Sequence, residues 1–394
     1  MGHITLQRET DRITLGITAI VDEFIAIRRD IHHHPELSFQ ETRTSALVAD
    51  KLKGWGYQVA TGIAGTGVVG TLTRGTGKKR LGIRADIDAL PILEASGQSY
   101  ASKNKGVMHA CGHDGHTAIL LAAARYLAES AKFDGTLHLI FQPAEEQGAG
   151  ARKMIAEGLF DRFPIDAIFG LHNWPGVPKG KFGFVTGPAM ASVDQAIIRF
   201  VGKGGHGAAP HETVDPVVAS AHFITALQTI VSRNVNPLDT GVITVGSIHG
   251  GEASNVIPDS VELKLTIRSF LPEVRELFKA RIPALAKAQA ESFGAVAEVD
   301  YRLGFPSVIN HPAETAFARA VAVELFGSEQ IVNDFRPRTA SEDFAFFLKE
   351  RPGSFLFVGT GDGPPLHNPA YVFEDDIIAP AAALWVRLAE RFLV

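Results

Sequence analysis

The chain of 394 residues has a single cysteine, Cys111. A lone thiol excludes a disulfide within the chain and fits a reducing compartment, most simply the cytoplasm. No run of 18 or more apolar residues occurs, which argues against a transmembrane helix. The opening MGHITLQRETDR carries charges and no apolar core, so it does not read as a secretory signal. Net charge is −5 and no basic cluster exceeds a few residues, leaving nucleic-acid binding without an electrostatic footprint. Internal repeats and low-complexity tracts are also absent. What remains is a soluble-type composition, 45% hydrophobic and 21% charged, long enough for two domains with separate cores.

Histidine is the residue in excess, with fifteen copies, many beside glycine, proline or acidic residues. The only cysteine sits among them in HACGHDGH, residues 109–116. Three uses of Cys111 are open from this pattern: an inert buried thiol, a nucleophile, or a metal ligand. The flanking histidines favour the last.

Apolar spacing predicts helices over 13–31 and 41–53, then strands at 66–72 and 81–85. A helix follows over 116–130, a strand at 136–141, a helix near 150–157 and a strand at 166–171. Strands alternating with helices indicate an α/β domain with a mostly parallel sheet flanked by helices. The Pro/Gly-rich stretch 173–180 reads as a linker. Beyond it the order is strand 193–201, helix 214–232, strands 241–248 and 260–268, helix 272–293 and strand 296–302, a ferredoxin-like β-α-β-β-α-β unit. Helix 312–326, strand 354–358 and helix 375–393 then resume the first style. The expected architecture is an α/β domain split over 1–188 and 305–394, with an α+β domain over 189–304 inserted.

Ligands of open α/β sheets collect outside the carboxyl ends of the strands. Asp86, the pair Glu145 and Glu146, His172, and His367 on its Gly/Pro loop all follow predicted strands, and the Cys111–His113 loop precedes a helix. These side chains suit a borderline divalent cation, zinc, manganese, cobalt or nickel, and a two-metal site would lower the pKa of a bridging water. Of two adjacent glutamates one can coordinate while the other serves as general base. The pattern alone does not assign them.

The segments RADIDALPI, MHACGHDGHTAILL, FQPAEEQGAGA, GLHNWPG, GKGGHGAAPH, EASNVIPDSVELKLTIRSF, TASEDFAFF and PLHNPAYVFED together resemble the M20-type metallopeptidase superfamily. They look most like its aminoacylase and hippurate hydrolase branch, which acts on N-acyl amino acids and auxin conjugates. The resemblance runs from about residue 27 to the C-terminus. It implies two divalent metal ions per chain held by Cys111, His113, Glu146, His172 and His367, with Glu145 as general base and Asp86 orienting a ligand. His206 matches a histidine that reaches the tetrahedral intermediate, often from a partner subunit. Asn255 and Arg268 match a grip on the substrate's free carboxylate, which suits a bidentate guanidinium. The inserted domain would then act as a lid that closes on substrate and as the interface of a homodimer or homotetramer. A small-molecule N-acyl amino acid is the implied partner, with neither nucleic acid nor membrane.

Blander readings stand beside these. Taken alone, Glu145 and Glu146 would be a solvated pair, and His172 and His367 would divide evenly between packed histidines and ligands. His32, His33 and His34 close a helix, where cations are favourable, and are expected to be structural or to line the cleft. His138 should pack within a strand. His109 and His116 divide evenly between supporting a ligand and supporting the core. Glu342 and Asp343 open a short helix and are expected to cap it. The alternatives to the amidohydrolase are a dipeptidase or carboxypeptidase of the same superfamily, a metal-independent cysteine amidase, and a metal-dependent binding protein without turnover.

Overall fold

The computed structural model describes residues 11–394. The opening stretch therefore lies, through residue 10, outside the described residues. The chain divides into two compact units, one running to Gly187 and resuming with Ile309–Arg336 and Asp343–Val394, the other comprising Pro188–Val308 and Pro337–Glu342.

The larger unit is built on a seven-stranded sheet. Its four central strands, Gly135–Gln142, Arg80–Asp86, Ala167–Trp174 and Gly353–Gly359, are mutually parallel. They are nearly continuous buried runs, as strands covered on both faces must be. Antiparallel strands finish both edges: Gly67–Arg74 and Gln58–Ile63 on one side, Phe182–Gly183 on the other. Helices Val21–His33, His113–Glu129 and Ile378–Phe392 pack on one another and the last two on strand Arg80–Asp86. Helix His113–Glu129 is apolar almost all round and almost wholly buried, so its first turn is carried into the protein interior.

Some sequence expectations need correction. The helix expected over 13–31 is interrupted at residues 19–20, which form a turn between a helical stretch at 11–18 and Val21–His33. An apolar stripe continues across such a turn, so periodicity does not reveal it. Strand Gln58–Ile63 was not foreseen, because a largely exposed edge strand broken by Thr61 and Gly62 carries no apolar run. The stretch 173–180 is no linker between the units. The strand that begins at Ala167 continues through Trp174, and residues 175–180 turn the chain back into the edge strand Phe182–Gly183.

The smaller unit has a four-stranded antiparallel sheet in the order Gly241–His249, Ser260–Ser269, Ser192–Val201, Val296–Leu303. With helices Pro216–Asn234 and Pro272–Ser292 packed against it, this is the 4-1-3-2 strand order of a ferredoxin-like fold. The strand Ser192–Val201 alternates buried and accessible positions, one face against the helices. Asp194 on that strand is buried and accepts hydrogen bonds from Arg275 Nε (2.9 Å) and Nη2 (2.5 Å), Tyr301 Oη (3.1 Å) and the Gly304 N–H (2.9 Å). It ties a helix and a strand end to the sheet. Asp194→Ala, which strands the Arg275 charge, should lower unfolding stability by about 3–5 kcal/mol in urea titrations. A loss below about 1 kcal/mol would show that solvent replaces the carboxylate.

Candidate active site

The carboxyl ends of the parallel strands deliver the candidate residues to one place. Asp86 ends its strand, and Asp88 follows two residues later. His172 lies inside strand Ala167–Trp174 rather than beyond it, buried near its end. Cys111 and His113 come from the loop and first turn of the central helix, joined by Gly112 at φ +91°. A Cβ on Gly112 would also lie 2.5 Å from Asn173 Oδ1, so only glycine fits this bend. Glu145 and Glu146 occupy a short helical turn after strand Gly135–Gln142. His367 is held through its backbone N–H, which donates to the Ala110 carbonyl at 2.8 Å, docking its loop on the cysteine loop.

Ligand atoms of Cys111, His113 and His172 lie within 4.8 Å of one another, and so do those of Cys111, Glu146 and His367 and of His113, Glu145 and Glu146. Glu146 Oε1 is 3.2 Å from His367 Nε2 and 3.9 Å from His113 Nε2, while Cys111 Sγ is 3.4 Å from His172 Nε2. His113 Nε2 and Glu146 Oε1 are buried with no hydrogen bond. Buried polar atoms are ordinarily paired, so these two atoms facing a common point mark a place for a cation.

The supporting residues fix which ring nitrogen faces that point. His113 Nδ1 lies 2.9 Å from the Asp88 carbonyl and 3.2 Å from Asp88 Oδ1, leaving Nε2 to the cluster. His172 Nδ1 lies 2.7 Å from the Asn173 carbonyl, which likewise leaves Nε2. Such orientation of an imidazole by its other nitrogen is what metal ligands require. Asp88 Oδ2 also accepts from the Glu146 N–H at 3.1 Å, so one carboxylate positions two candidate ligands. His116 bridges Asp86 Oδ1 (2.6 Å) and Asn173 Oδ1 (2.6 Å). It is a supporting residue rather than a packing one.

The electrostatics agree. Burial alone would lower the His113 pKa, yet Asp86, Asp88 and Glu146 raise it to about 10. A pocket that holds a buried imidazole protonated is one that demands positive charge. Burial and then the charges of Glu146, Glu145 and Asp86 push the Cys111 thiol well above its ordinary range. A cation bound beside it would favour the thiolate instead. Burial, reinforced by neighbouring His116, keeps His172 neutral. The donor set of one thiol, three imidazoles and carboxylates therefore fits a divalent transition metal.

Glu342 and Asp343 do not cap the short helix that follows them. Both are buried, and the next helix begins only at Ala345. Asp343 accepts from Gln142 Nε2 at 2.8 Å and from the Ala151 N–H at 2.9 Å, pairs with Arg84 at 3.3 Å, and donates its own N–H to Glu145 Oε1 at 3.3 Å. Arg84 also pairs with Asp86 at 2.7 Å, linking the two carboxylates. These contacts join residues remote in sequence, which no spacing shows. His138 packs in its strand 2.9 Å from Thr71 Oγ1, and His109 is buried and neutral, with its pKa lowered to about 4 by burial.

In the smaller unit, His206 and Val256 pair across a two-residue ladder, bringing Asn255 beside the histidine segment. The Gly207 N–H donates to the Asn255 carbonyl at 2.8 Å. His206 and Asn255 are exposed, while Arg268 is half-buried and donates to Ser341 Oγ at 3.1 Å.

Comparison with known proteins accords with this geometry. The profile of Peptidase family M20/M25/M40 matches residues 82–391. The chain is 44% identical to a hippurate hydrolase of Campylobacter jejuni, over 94% of this chain and 97% of that protein. It is 43% identical to an N-acetyl-L-cysteine deacetylase of Bacillus subtilis, over 99% and 92% respectively. Among solved structures, a dinuclear metal-binding peptidase of the M20 family from Bacillus subtilis superimposes with a TM-score of 0.84 at 35% identity, covering 95% of this chain and 99% of that one. The chain belongs to Peptidase family M20/M25/M40.

Behind the ligand loop, His32 lies 2.9 Å from Asp114 Oδ2 and 3.1 Å from Glu94 Oε1. Burial opposes its charge, but Asp114 and the hydrogen bonds to Asp114 and Glu94 raise its pKa to about 9. A raised imidazole pKa stabilises the fold fully below about pH 6.5, and the contribution is lost as pH rises through about 9. NMR titration of the His32 ring should give a midpoint near 9. A midpoint near 6.5 would show that the two carboxylates do not hold its proton.

Proposed function

We propose that this chain is a metal-dependent amidohydrolase that cleaves the amide bond of N-acyl amino acids, hippurate-like, N-acetyl or related conjugates. The observation that carries this reading is that Cys111, His113, Glu146, His172 and His367 fall into overlapping groups of closely spaced ligand atoms, buried except at the exposed His367 and the partly buried Glu146, with Glu145 alongside. Those five side chains would hold two divalent cations, with zinc, manganese, cobalt and nickel all compatible with the donors. Bound there, the ions would polarise the scissile carbonyl and lower the pKa of a water between them.

Glu145 is the proposed general base. It neighbours Glu146 on one short turn, and adjacent residues of a turn do not face the same way. Glu146 can therefore coordinate while Glu145 takes the water proton and delivers it to the departing amine. The small unit is proposed to act on the substrate, His206 hydrogen-bonding the developing oxyanion and Asn255 and Arg268 gripping the free α-carboxylate. That assignment rests on the family resemblance of those positions. Assembly as a homodimer or homotetramer through the small unit belongs to the same proposal.

The cysteine amidase is disfavoured on a specific observation. Burial and surrounding carboxylates keep the Cys111 thiol protonated, the opposite of the electropositive setting a nucleophilic thiol needs. A carboxypeptidase or dipeptidase would use the same centre with a different pocket.

Glu145→Gln should retain the metal content of the wild type while kcat falls by about 10²–10⁴-fold. Turnover within tenfold of wild type would remove Glu145 as the base. Cys111→Ala should lower metal per chain, measured by elemental analysis, and an unchanged stoichiometry would remove Cys111 from the ligand set.

A further inference from the structure

The turn that carries both glutamates is strained at each end. Ala144, before Glu145, has φ +54°, and Ala149, just beyond the turn, has φ +50°. Alanine has no side-chain hydrogen bond to offset the left-handed region, so surrounding structure must impose it. The Ala144 carbonyl accepts from the N–H groups of Gly148 (3.2 Å) and Gly150 (3.0 Å), closing the turn on itself. Its N–H donates outward, to Glu41 Oε1 at 2.9 Å.

Glu41 has no place in the chemistry described so far, yet its side chain is wholly buried. Oε1 also accepts the Phe39 N–H at 2.9 Å, and Phe39 is itself at φ +63°. Oε2 accepts the Thr66 hydroxyl at 2.5 Å. One buried carboxylate thus fastens two left-handed residues of separate loops to each other. The Phe39 ring fills the space beside Gly148, where a Cβ would come 2.4 Å from its Cε2. From the same loop, Ser38 Oγ donates to Asp88 Oδ2 at 2.8 Å, and that oxygen accepts the Glu146 N–H. The loop 38–41 therefore supports the glutamate turn at two points, through Glu41 ahead of Glu145 and through Ser38 and Asp88 at Glu146.

We propose that Glu41 is a positioning residue: by holding Ala144 in the left-handed conformation it sets the direction in which Glu145 leaves the turn. This rests on the reading of Glu145 as general base. A buried carboxylate is a costly way to join two loops, and an apolar side chain would fill the space without it. What the apolar residue cannot do is accept two N–H groups at one oxygen, which is the geometry that fixes Ala144.

The test uses the metal-loaded enzyme and Glu41→Ala, Glu41→Gln and Thr66→Val. A glutamine retains an oxygen for both N–H groups and can donate its amide to Thr66. In Glu41→Ala, kcat should fall about tenfold or more, as expected for a misplaced reacting group, with KM and metal per chain within twofold of wild type. Glu41→Gln should recover most of that loss, and Thr66→Val should fall between. Hydrogen exchange of the Ala144 and Gly148 amides should accelerate about tenfold or more in Glu41→Ala but not in Glu41→Gln. Wild-type kcat in Glu41→Ala overturns the proposal, and so does a kcat loss of equal size in Glu41→Ala and Glu41→Gln. If Glu41→Ala does not fold, Thr66→Val decides, and kcat and exchange equal to wild type overturn the proposal. Exchange needs no turnover: faster exchange without any amidase activity in the wild type would refute the functional reading and leave the clamp standing.

Discussion

Negative charge gathered around a buried imidazole is the constraint on which the site depends. Asp86, Asp88 and Glu146 surround His113 at the carboxyl end of a sheet covered on both faces, and together they hold its pKa near 10 against the pull of burial. Such a pocket favours positive charge inside it. A proton on His113 can supply one unit, and divalent cations held by the candidate ligands would supply more. The fold serves this constraint. Parallel strands bring Asp86, His172 and the glutamate turn to one end, and the apolar helix His113–Glu129 drives its first turn, with His113, into the interior.

Around that charge lies a set of fixed parts. Asp88 and the Asn173 carbonyl each engage a histidine Nδ1, leaving Nε2 toward the cluster. Arg84 joins Asp86 to Asp343, and the Asp343 N–H reaches Glu145. Left-handed backbone at Ala144, Ala149 and His367 places side chains where regular structure would not. Strain of this kind gathers where the surroundings can hold it. Here it falls beside the candidate base and on a candidate ligand.

Much of this arrangement was legible in the amino-acid order. Alternating apolar runs revealed the parallel strands and the ferredoxin-like insertion, because buried strands and amphipathic helices differ in period. The convergence of Cys111, His113, Glu146, His172 and His367 followed from their place after strands or at a helix start. Apart from Asp86, which the family resemblance marked, and His116, left at even odds, the supporting residues were not legible. Glu342 and Asp343 looked like a helix cap, since an acidic pair before a helix is usually one. Glu41 and Arg84 fall within a predicted helix start and a predicted strand, and nothing in the pattern singles them out. Their partners lie far off in sequence, Glu41 some 100 residues from Ala144 and Arg84 some 260 from Asp343, and local pattern carries no trace of such a bond. Edge strand Gln58–Ile63 escaped for a different reason, having too little burial to impose a hydrophobic pattern.

The most direct test of the account is hydrolysis of a panel of N-acetyl and N-benzoyl amino acids and plain dipeptides. It is to be run on the purified enzyme, after chelation, and after return of zinc, manganese, cobalt or nickel. The account predicts turnover of acyl amino acids that disappears with chelator and returns with metal. Turnover that survives full chelation, verified by elemental analysis, would contradict it.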